Sequence, residues 1–253
     1  VLGAGVATGG RVAPDAGRLV EHPVLGWRDV PLRETLAAAT GLPVVVDGHT
    51  RSLLRAERLF GDVRETARRS IVQLFVGNVV DVAFAVGETV HHGPRVAAGA
   101  IAHLPVEGCE VPCACGRTGC LQAAVSERAL IRRALAEGIV DEPDIHLVVA
   151  RAEAGDQRAL GLLHERARLV GRAAGMLLDL FNPEVLVVQE VGANRLDDVR
   201  ETLRSEVALR SEVAAERDLD TAVRSSSFPA GPLAVAGGTV ALDRLYGAPL
   251  DPL

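Results

Sequence analysis

The four cysteines constrain this chain more than any other feature, because all of them fall within residues 103–122. Cys113 and Cys115 form a C-x-C pair, and Cys120 follows after two glycines that permit tight turns. Tetrahedral Zn²⁺ takes four ligands at roughly 2.0–2.3 Å, and three cysteines with one histidine form a standard structural set. His103 precedes the pair and supplies the fourth ligand. The spacing therefore predicts a structural zinc site.

Two other interpretations of the cysteines are a disulfide and a set of unrelated buried thiols. The chain shows no secretory signal pattern, so we expect a reducing compartment, where clustered cysteines more often bind metal than pair. Unrelated thiols rarely lie so close together in a sequence. Cys109 is the expected spare thiol, and its replacement of His103 as the fourth ligand stays open.

Composition narrows the class of protein. The 253 residues can bury a sizeable core in one large domain or two lobes, and the net charge is −6 with 3% aromatic residues. Because there is neither a long basic run nor an aromatic stacking surface, we expect this chain not to hold nucleic acid by itself. No charge-free apolar stretch of about 18 residues occurs, so we predict no membrane span and a cytoplasmic protein.

Strand and helix patterns alternate along the chain, which favours an α/β fold with mixed sheets. Apolar and β-branched runs predict strands at residues 1–6, 41–47, 71–76, 79–86, 183–188 and 221–224. Amphipathic or small-residue patterns predict helices at residues 32–39, 50–68, 126–137, 145–154, 156–180, 195–208 and 231–246. Gly61 weakens the continuity of the second helix, while Pro14 and Gly17 predict a loop after the first strand.

The cysteine stretch also carries a family resemblance. Its pattern, H-x9-C-x-C-G-x2-G-C-L, resembles the zinc signature of the ROK family (repressors, open reading frames and sugar kinases). Residues 26–32 (GWRDVPL) are close to the family's G-W-x-x-V-P-L, which we interpret as a loop leading into a helix, and residues 182–188 (NPEVLVV) resemble its N-P-E strand. The resemblance implies the two-lobed actin-like ATPase (ribonuclease H-like) sugar-kinase fold.

The same resemblance predicts the division of the chain. It implies an incomplete first lobe at residues 1–58, a second lobe at 59–232 with the zinc loop at 103–122, and a C-terminal helix segment at 233–253 that packs back toward the first lobe. The family's opening strands, with their phosphate-holding D-x-G-G-T loop, would lie upstream of the sequence, and any DNA-binding head further upstream still.

Kinase chemistry is where the chain departs from the family pattern. A sugar kinase needs a carboxylate base, which the family carries in E-N-D-A-N; here residues 47–51 read Asp-Gly-His-Thr-Arg. His49 stands at the position of the catalytic aspartate, and we expect it to be an ordinary surface histidine at a helix start. Gly48 replaces a sugar-binding asparagine.

Four further kinase motifs are also altered. The phosphate loop G-T-G-I-G reads GNVVD at residues 77–81, and the sugar-holding E-x-G-H reads AIAH at residues 100–103. Gln122 replaces a glutamate, and the glycine cluster under adenosine reads QEVG at residues 189–192. Together these changes predict no ATP-dependent sugar phosphorylation.

These observations favour the effector-binding and dimerisation portion of a ROK-type transcriptional regulator, stabilised by structural zinc and inactive as a kinase. We expect a homodimer or homotetramer that senses a sugar or sugar derivative and reaches DNA only through an upstream domain. The candidate zinc ligands are His103, Cys113, Cys115 and Cys120, and the candidate effector ligands are His49, Arg51, His103 and Gln122.

Two alternatives stay open. One is an active, glucokinase-like ATP-dependent sugar kinase whose displaced base is His49 or Asp47. The other is a structural pseudokinase that dimerises and binds no ligand, which the loss of both sugar-contacting glutamates favours. The pair His49 and Arg51 would also suit an anionic effector such as a phosphosugar.

Overall fold

The computed structural model describes residues 2–247; Val1 of the first predicted strand and residues 248–253 of the predicted C-terminal segment lie outside the described residues. The chain divides into two compact units. Unit 1 comprises Val1–Gln73, Val82–Gly99 and Ala230–Leu253, and unit 2 comprises Leu74–Asp81 and Ala100–Pro229. These bounds differ from the lobes predicted at residues 1–58, 59–232 and 233–253, and that lobe assignment stays a prediction.

The elements alternate as an α/β chain. The strands are β1 (Ala4–Thr8), β2 (Arg11–Ala13), β3 (Arg18–His22), β4 (Trp27–Val30), β5 (Val44–Gly48), β6 (Ser70–Val76), β7 (Val80–Val86), β8 (Thr89–Val90), β9 (Val185–Glu190) and β10 (Val223–Ser225). The helices are α1 (Leu32–Thr40), α2 (His49–Phe60), α3 (Leu121–Val125), α4 (Glu127–Ala136), α5 (Ile145–Glu153), α6 (Gln157–Phe181), α7 (Val191–Arg195), α8 (Asp197–Arg210), α9 (Leu219–Ala222) and α10 (Pro232–Gly247).

Unit 1 is organised around the parallel pair of β1 and β5, in which Ala4 lies opposite Val44 and Thr8 opposite Gly48. Helix α10 packs on β1 and on α2. The packing is close enough that a Cβ added at Gly5 would lie 2.0 Å from the carbonyl oxygen of Gly237. A glycine at this strand position therefore lets the helix approach the sheet backbone directly.

A three-stranded antiparallel sheet, β2-β3-β4, follows the first strand. The predicted loop after residue 10 was therefore wrong, as was the loop expected around Trp27. Val12 and Leu19 are fully buried within this sheet and join the core formed with β5. Gly17, with φ at 66°, ends a turn between β2 and β3. Pro14 and Gly17 thus mark a hairpin turn. The flanking strands were missed because strands of three to five residues bury too few side chains to show a clear alternation.

Helix α2 ends at Phe60, eight residues before the end of the predicted helix at residue 68. Gly61 takes an extended conformation, and a Cβ added there would lie 2.7 Å from the backbone oxygen of Glu57. The chain then turns and forms only a short 3-10 helix, Thr66–Arg68. The doubt raised by Gly61 was correct, and the extension of the helix beyond it was wrong.

Unit 2 is built around the long helix α6, which packs against α8 and α5. Asp156 caps its N-terminus by accepting hydrogen bonds from Arg158 N and Ala159 N, and Asn182, in the left-handed conformation, ends it just before Pro183. Strand β9 is buried along its whole length and pairs in parallel with β10. The five-stranded sheet has the order β10-β9-β6-β7-β8, and the division between the units falls within β6 and β7.

Within residues 2–247, no helix combines the length and the apolar character needed to cross a membrane.

Candidate functional sites

The loop of residues 103–122, called the cysteine loop below, is held by backbone pairing between its two ends. This pairing places His103 beside Cys120, because the residues on either side of His103 accept bonds from the residues that follow Cys120. The bonds run from Leu121 N to Leu104 O (2.8 Å), from Gln122 N to Ala102 O (2.9 Å) and from Val106 N to Gly119 O (2.8 Å).

A tight turn at the tip of the loop carries the other two cysteines. Cys113 N donates to Arg117 O (2.8 Å), and Gly116 N donates to Cys113 O (3.0 Å). Gly116 and Gly119 have φ values of 86° and 69°, which L side chains rarely adopt. At Gly119 an added Cβ would also lie 2.4 Å from Cys109 O, so the loop can close only with glycine there.

Four ligand atoms, from His103, Cys113, Cys115 and Cys120, lie within 4.8 Å of one another. The Cys113 Sγ to His103 Nδ1 distance is 3.6 Å, and the Cys115 Sγ to Cys120 Sγ distance is also 3.6 Å. A tetrahedral ion with ordinary Zn–S and Zn–N bonds would separate its ligands by about 3.6 to 3.8 Å. A disulfide needs sulfurs roughly 2.05 Å apart. The four residues therefore fit a tetrahedral metal ion.

The thiols of this cluster have opposite environments. The side chain of Arg117 donates to Cys115 Sγ, and this bond lowers the pKa of the exposed Cys115 thiol to about 6. Burial raises the pKa of Cys120 to about 11. A bound cation reverses such a rise, since a coordinating thiol is deprotonated by the metal. Cys109 is a free cysteine and is not one of the four clustered residues.

Gln122, which follows the cysteine loop, closes the loop formed by residues 77–81. Its side-chain oxygen accepts a hydrogen bond from Val80 N at 3.2 Å. At the other end of the same loop, Asn78 Oδ1 accepts from Arg128 N in the first turn of α4 at 3.1 Å. The amide of Val80 and the side chain of Asn78 are therefore bonded to the protein itself.

A buried ion pair lies at the end of β9. Arg166, 3% exposed, pairs with Glu190, 1% exposed, and also donates to two backbone carbonyls, Val125 O at 2.7 Å and Val76 O at 3.1 Å. The second oxygen of Glu190 accepts from Ala193 N at 2.6 Å and so caps α7. The carboxylate of Glu190 thus accepts the hydrogen bond of a backbone amide at the start of α7.

The corresponding buried charge in unit 1 is Asp47, at the end of β5. One of its oxygens accepts from Gly48 N (2.6 Å) and from Arg51 Nε (2.8 Å), and the other accepts from Arg55 Nη1 (2.5 Å). Arg55 in turn pairs with Asp243 at 2.9 Å. Burial alone would raise the pKa of Asp47, but the charges of the two arginines outweigh it and hold that pKa below its ordinary value.

His49 begins α2, as predicted, but it is 2% exposed. The expectation of a surface histidine was therefore wrong. Its Nδ1 lies 3.1 Å from Thr8 O and its Nε2 lies 3.2 Å from Thr50 Oγ1, so both ring nitrogens have partners. Burial lowers its pKa to about 4, which keeps the ring neutral at neutral pH. The sequence does not reveal this burial, because the strand that supplies Thr8 is 41 residues away.

Comparison with known proteins decides the family. The sequence profile described as "ROK family" matches residues 1–228, which is most of the chain. The chain belongs to the ROK family. Its α/β architecture is the actin-like ATPase fold shared by ROK kinases and ROK regulators.

The relatives of this ROK chain include regulators and kinases. It is 34% identical over 265 residues to "Transcriptional regulator Mb0495" of Mycobacterium bovis, covering 100% of this chain and 58% of the relative. It is 26% identical over 226 residues to "Xylose repressor" of Caldicellulosiruptor bescii, covering 85% of this chain and 56% of the relative. The chain thus spans a little over half the length of these curated relatives.

Two solved structures show the shared fold. A ROK family transcriptional regulator, described as a homologue of the E. coli MLC protein, has a TM-score of 0.80 at 23% identity and matches 94% of this chain and 61% of its own. A ROK family glucokinase from Streptomyces griseus, in complex with glucose and AMPPNP, has a TM-score of 0.78 at 24% identity and matches 94% and 81%.

The predicted ROK site residues fall into two groups. His103 lies with the three cysteines, and Gln122 follows them, all in unit 2; His49 and Arg51 lie in the first turn of α2 in unit 1. Sequence reasoning missed the ion pairs made by Glu190 and by Asp47. The four-residue spacing from Asp47 to Arg51 was the one local signal for the second pair.

Proposed function

We propose that this chain is the effector-binding portion of a ROK-type transcriptional regulator, stabilised by structural zinc and inactive as a kinase. One observation carries the proposal. The four candidate metal ligands lie together, whereas three groups at the positions of the kinase motifs, Val80 N, the His49 ring and the Glu190 carboxylate, are bonded to the protein itself. A chain with this combination keeps the scaffold of a sugar kinase without the groups that transfer phosphate.

Zinc is the metal that the ligand set favours. Three thiolates and one imidazole at tetrahedral spacing suit Zn²⁺, and a full set of four protein ligands is typical of structural rather than catalytic sites. Metal analysis of the purified protein should give one zinc per chain. Cys115→Ser should abolish it and Cys109→Ser should retain it; equal zinc in both variants would refute the assignment of ligands.

Loss of kinase activity follows from three contacts. Val80 N, in the loop that cradles phosphate in ROK kinases, is bonded to Gln122, and Glu190 brings a buried carboxylate where the family has glycine. Glycine has no side chain, so Glu190 fills space that the family's glycine cluster leaves open beneath adenosine. His49 has both ring nitrogens bonded and its pKa lowered to about 4, which makes it a poor proton acceptor at neutral pH.

Sugar sensing is supported by the relatives, one of which is named for xylose and another of which holds glucose. We propose His103 and Gln122 of unit 2 and, separately, His49 and Arg51 of unit 1 as candidate effector ligands. The whole protein would act in the cytoplasm as a homodimer or homotetramer and contact DNA through a further domain. Effector binding would then shift the population of the DNA-binding conformation.

A thermal-shift screen of the zinc-loaded chain tests these proposals together. The panel contains glucose, xylose, glucose 6-phosphate and ATP with Mg²⁺, and a coupled assay on the same samples measures ADP formation. A ligand at 100 times its Kd adds about 2.7 kcal/mol of stability, which such a screen detects. We expect a shift with a sugar or phosphosugar, no shift with ATP and no ADP.

The remaining outcomes separate the alternatives. A shift with ATP together with sugar-dependent ADP formation would establish a glucokinase-like enzyme, as the similarity to the Streptomyces griseus glucokinase allows. No shift with any compound would favour a structural pseudokinase without a ligand.

To test DNA binding, the whole protein and this chain are compared on the promoter of its own gene. We expect only the whole protein to bind.

A further inference from the structure

Unit 1 contains a cavity of about 690 Å³, which is within the size range of small-molecule sites. It lies beside β5 and is bordered by residues of α1 and α10. It includes neither His49, Arg51, His103 nor Gln122, and is therefore separate from the effector residues proposed above. It is lined by Pro14, Asp15, Arg33, Ala37, Pro43, Val44, Val45, Val46, Asp47, Arg55, His92, Val240, Asp243 and Arg244.

One part of the cavity wall is apolar. Its half-buried residues include Val45 of β5 and Ala37 of α1. Val44 and Val46 lie on the opposite face of β5, where they are 5% and 0% exposed and belong to the core. This wall suits a short aliphatic body.

The acidic groups at the inner end of the cavity already have cationic partners. Asp47 is bonded by Arg55 and by Arg51 behind it, and Asp243 pairs with Arg55. These ion pairs fix Arg55 between two carboxylates, so its charge is balanced within the protein. Asp47 and Asp243 therefore leave little net negative charge for a ligand to match.

Two cations at the cavity have no such partner. Arg33 donates to the carbonyl oxygens of Pro14 (2.5 Å) and Asp15 (3.1 Å), which hold its guanidinium in place without neutralising it. Arg244 is exposed, and within residues 2–247 it makes no ion pair or side-chain hydrogen bond. A guanidinium recognises a carboxylate through paired N–H donors, so the two arginines attract an organic anion.

The remaining polar lining groups indicate which further polar groups the ligand should carry. The carboxylate of Asp15 is exposed at the rim and has no cationic partner among the described residues, so it favours a hydrogen-bond donor beside the anion. His92 is half-buried, and burial lowers its pKa, so its ring contributes a hydrogen bond without a charge at neutral pH. Neither group adds to the positive charge of Arg33 and Arg244.

We propose that this cavity binds a small branched aliphatic acid, with its carboxylate at Arg33 and Arg244 and its hydrocarbon body against Val45 and Ala37. The shared chemistry is one carboxylate on an apolar body of about five carbons. A free fatty acid and an amino acid are two sources of it; Asp15 would favour the amino acid, whose ammonium group is a donor next to the carboxylate.

Isothermal titration of the zinc-loaded chain tests the site with isocaproate, leucine and acetate as probes and inorganic phosphate as the comparison. We expect isocaproate to bind more tightly than acetate by about fourfold for each methylene buried. Tighter binding of leucine than of isocaproate would assign a role to Asp15, and the reverse would select the free acid. Equal or tighter binding of inorganic phosphate would overturn the proposal.

Variants locate the binding. Arg244→Ala removes an exposed side chain without a partner, so the protein should keep its stability while isocaproate affinity falls at least about tenfold. Arg33→Gln should weaken binding similarly, and Arg224→Ala, an exposed arginine in unit 2, should leave it unchanged. If no acid binds at millimolar concentration, or if Arg244→Ala binds as the native chain does, the cavity is not this site. These probes contain no sugar, so the result is independent of the sugar screen.

Discussion

Two loops of unit 2, the cysteine loop and the loop of residues 77–81, use their polar groups in opposite ways. In the cysteine loop, four ligand atoms lie within 4.8 Å of one another and could hold a metal ion. In the other loop, the amide of Val80 and the side chain of Asn78 are bonded to neighbouring protein groups. The first arrangement leaves its ligand atoms together for an ion, whereas the second satisfies these two polar groups within the protein.

The two cases also differ in what stabilises them. Glu190 and Arg166 resemble the internally bonded loop, because each charge is matched by the other inside the protein. The cysteine loop has few apolar side chains of its own to bury, so under the proposed function its shape would depend on zinc. The comparison predicts that stability in unit 2 depends on zinc at one place and on internal charge pairing at another.

The largest expected effect is the loss of a metal ligand. Cys120→Ser should release zinc and lower the free energy of unfolding by at least about 4 kcal/mol, because structural zinc sites in peptides contribute roughly 10–16 kcal/mol and the core of unit 2 retains part of the fold. Urea unfolding with metal analysis of the same sample measures both quantities. Cys109→Ser is the matched control and should change stability by less than about 1 kcal/mol. The comparison fails if the two serine variants unfold alike.

The buried ion pair should give the next largest effect. Glu190→Ala leaves Arg166 charged and unpaired at 3% exposure, which should destabilise the protein by about 3–5 kcal/mol. The double variant Arg166→Leu with Glu190→Leu removes both charges and should recover most of that loss. Chemical unfolding of Arg166→Leu, Glu190→Leu and the double variant completes the cycle. Additive losses would mean that the two charges do not stabilise one another.

The clustering of the four candidate metal ligands was predictable from sequence because these residues are close together in the chain. His103, Cys113, Cys115 and Cys120 span 18 residues, and glycines mark the turns between them. The long elements were predictable for a similar reason, since α6 shows its buried stripe within its own sequence. Local information sufficed wherever the interacting groups are neighbours.

The features that escaped prediction all depend on distant partners. Burial of His49 comes from Thr8, and the second partner of Arg55 is Asp243, 188 residues further along the chain. The sheet β2-β3-β4 was missed because its short strands bury only Val12 and Leu19 fully. No spacing rule connects such residues, so the sequence alone leaves open whether a polar side chain faces a ligand or another part of the protein.

In unit 1, the buried His49 should make the free energy of unfolding depend on pH. Its pKa is lowered from 6.5 to about 4, so between these pH values the unfolded chain binds more protons than the folded chain. The contribution of His49 to stability is therefore fully present above pH 6.5 and is lost as the pH falls towards 4. We expect a loss of about 2 kcal/mol between pH 8 and pH 5 from this group. Urea unfolding at both pH values measures it.

Matched variants assign that pH dependence. His49→Asn keeps a polar side chain that does not titrate, and should flatten the stability profile between pH 8 and pH 5. His146→Gln removes an exposed histidine on α5 and should leave the profile unchanged. If His49→Asn has the profile of the native chain, another group carries the dependence and His49 is not held neutral by burial.

The smallest expected effect is at Gln122, which links the two loops compared above. Gln122→Met removes the acceptor of Val80 N and should lower the free energy of unfolding by about 1 kcal/mol, the usual contribution of one hydrogen bond. Gln122→Glu restores the residue of the family's kinase motif and keeps an acceptor for the same amide, so its stability should stay within about 0.5 kcal/mol of the native value. Because Val80 N remains bonded and Glu190 remains in place, Gln122→Glu should form no ADP with glucose and ATP. ADP formation by this single variant would mean that the kinase loop is not closed by its internal bonds, and that one side chain separates the regulator from the enzyme.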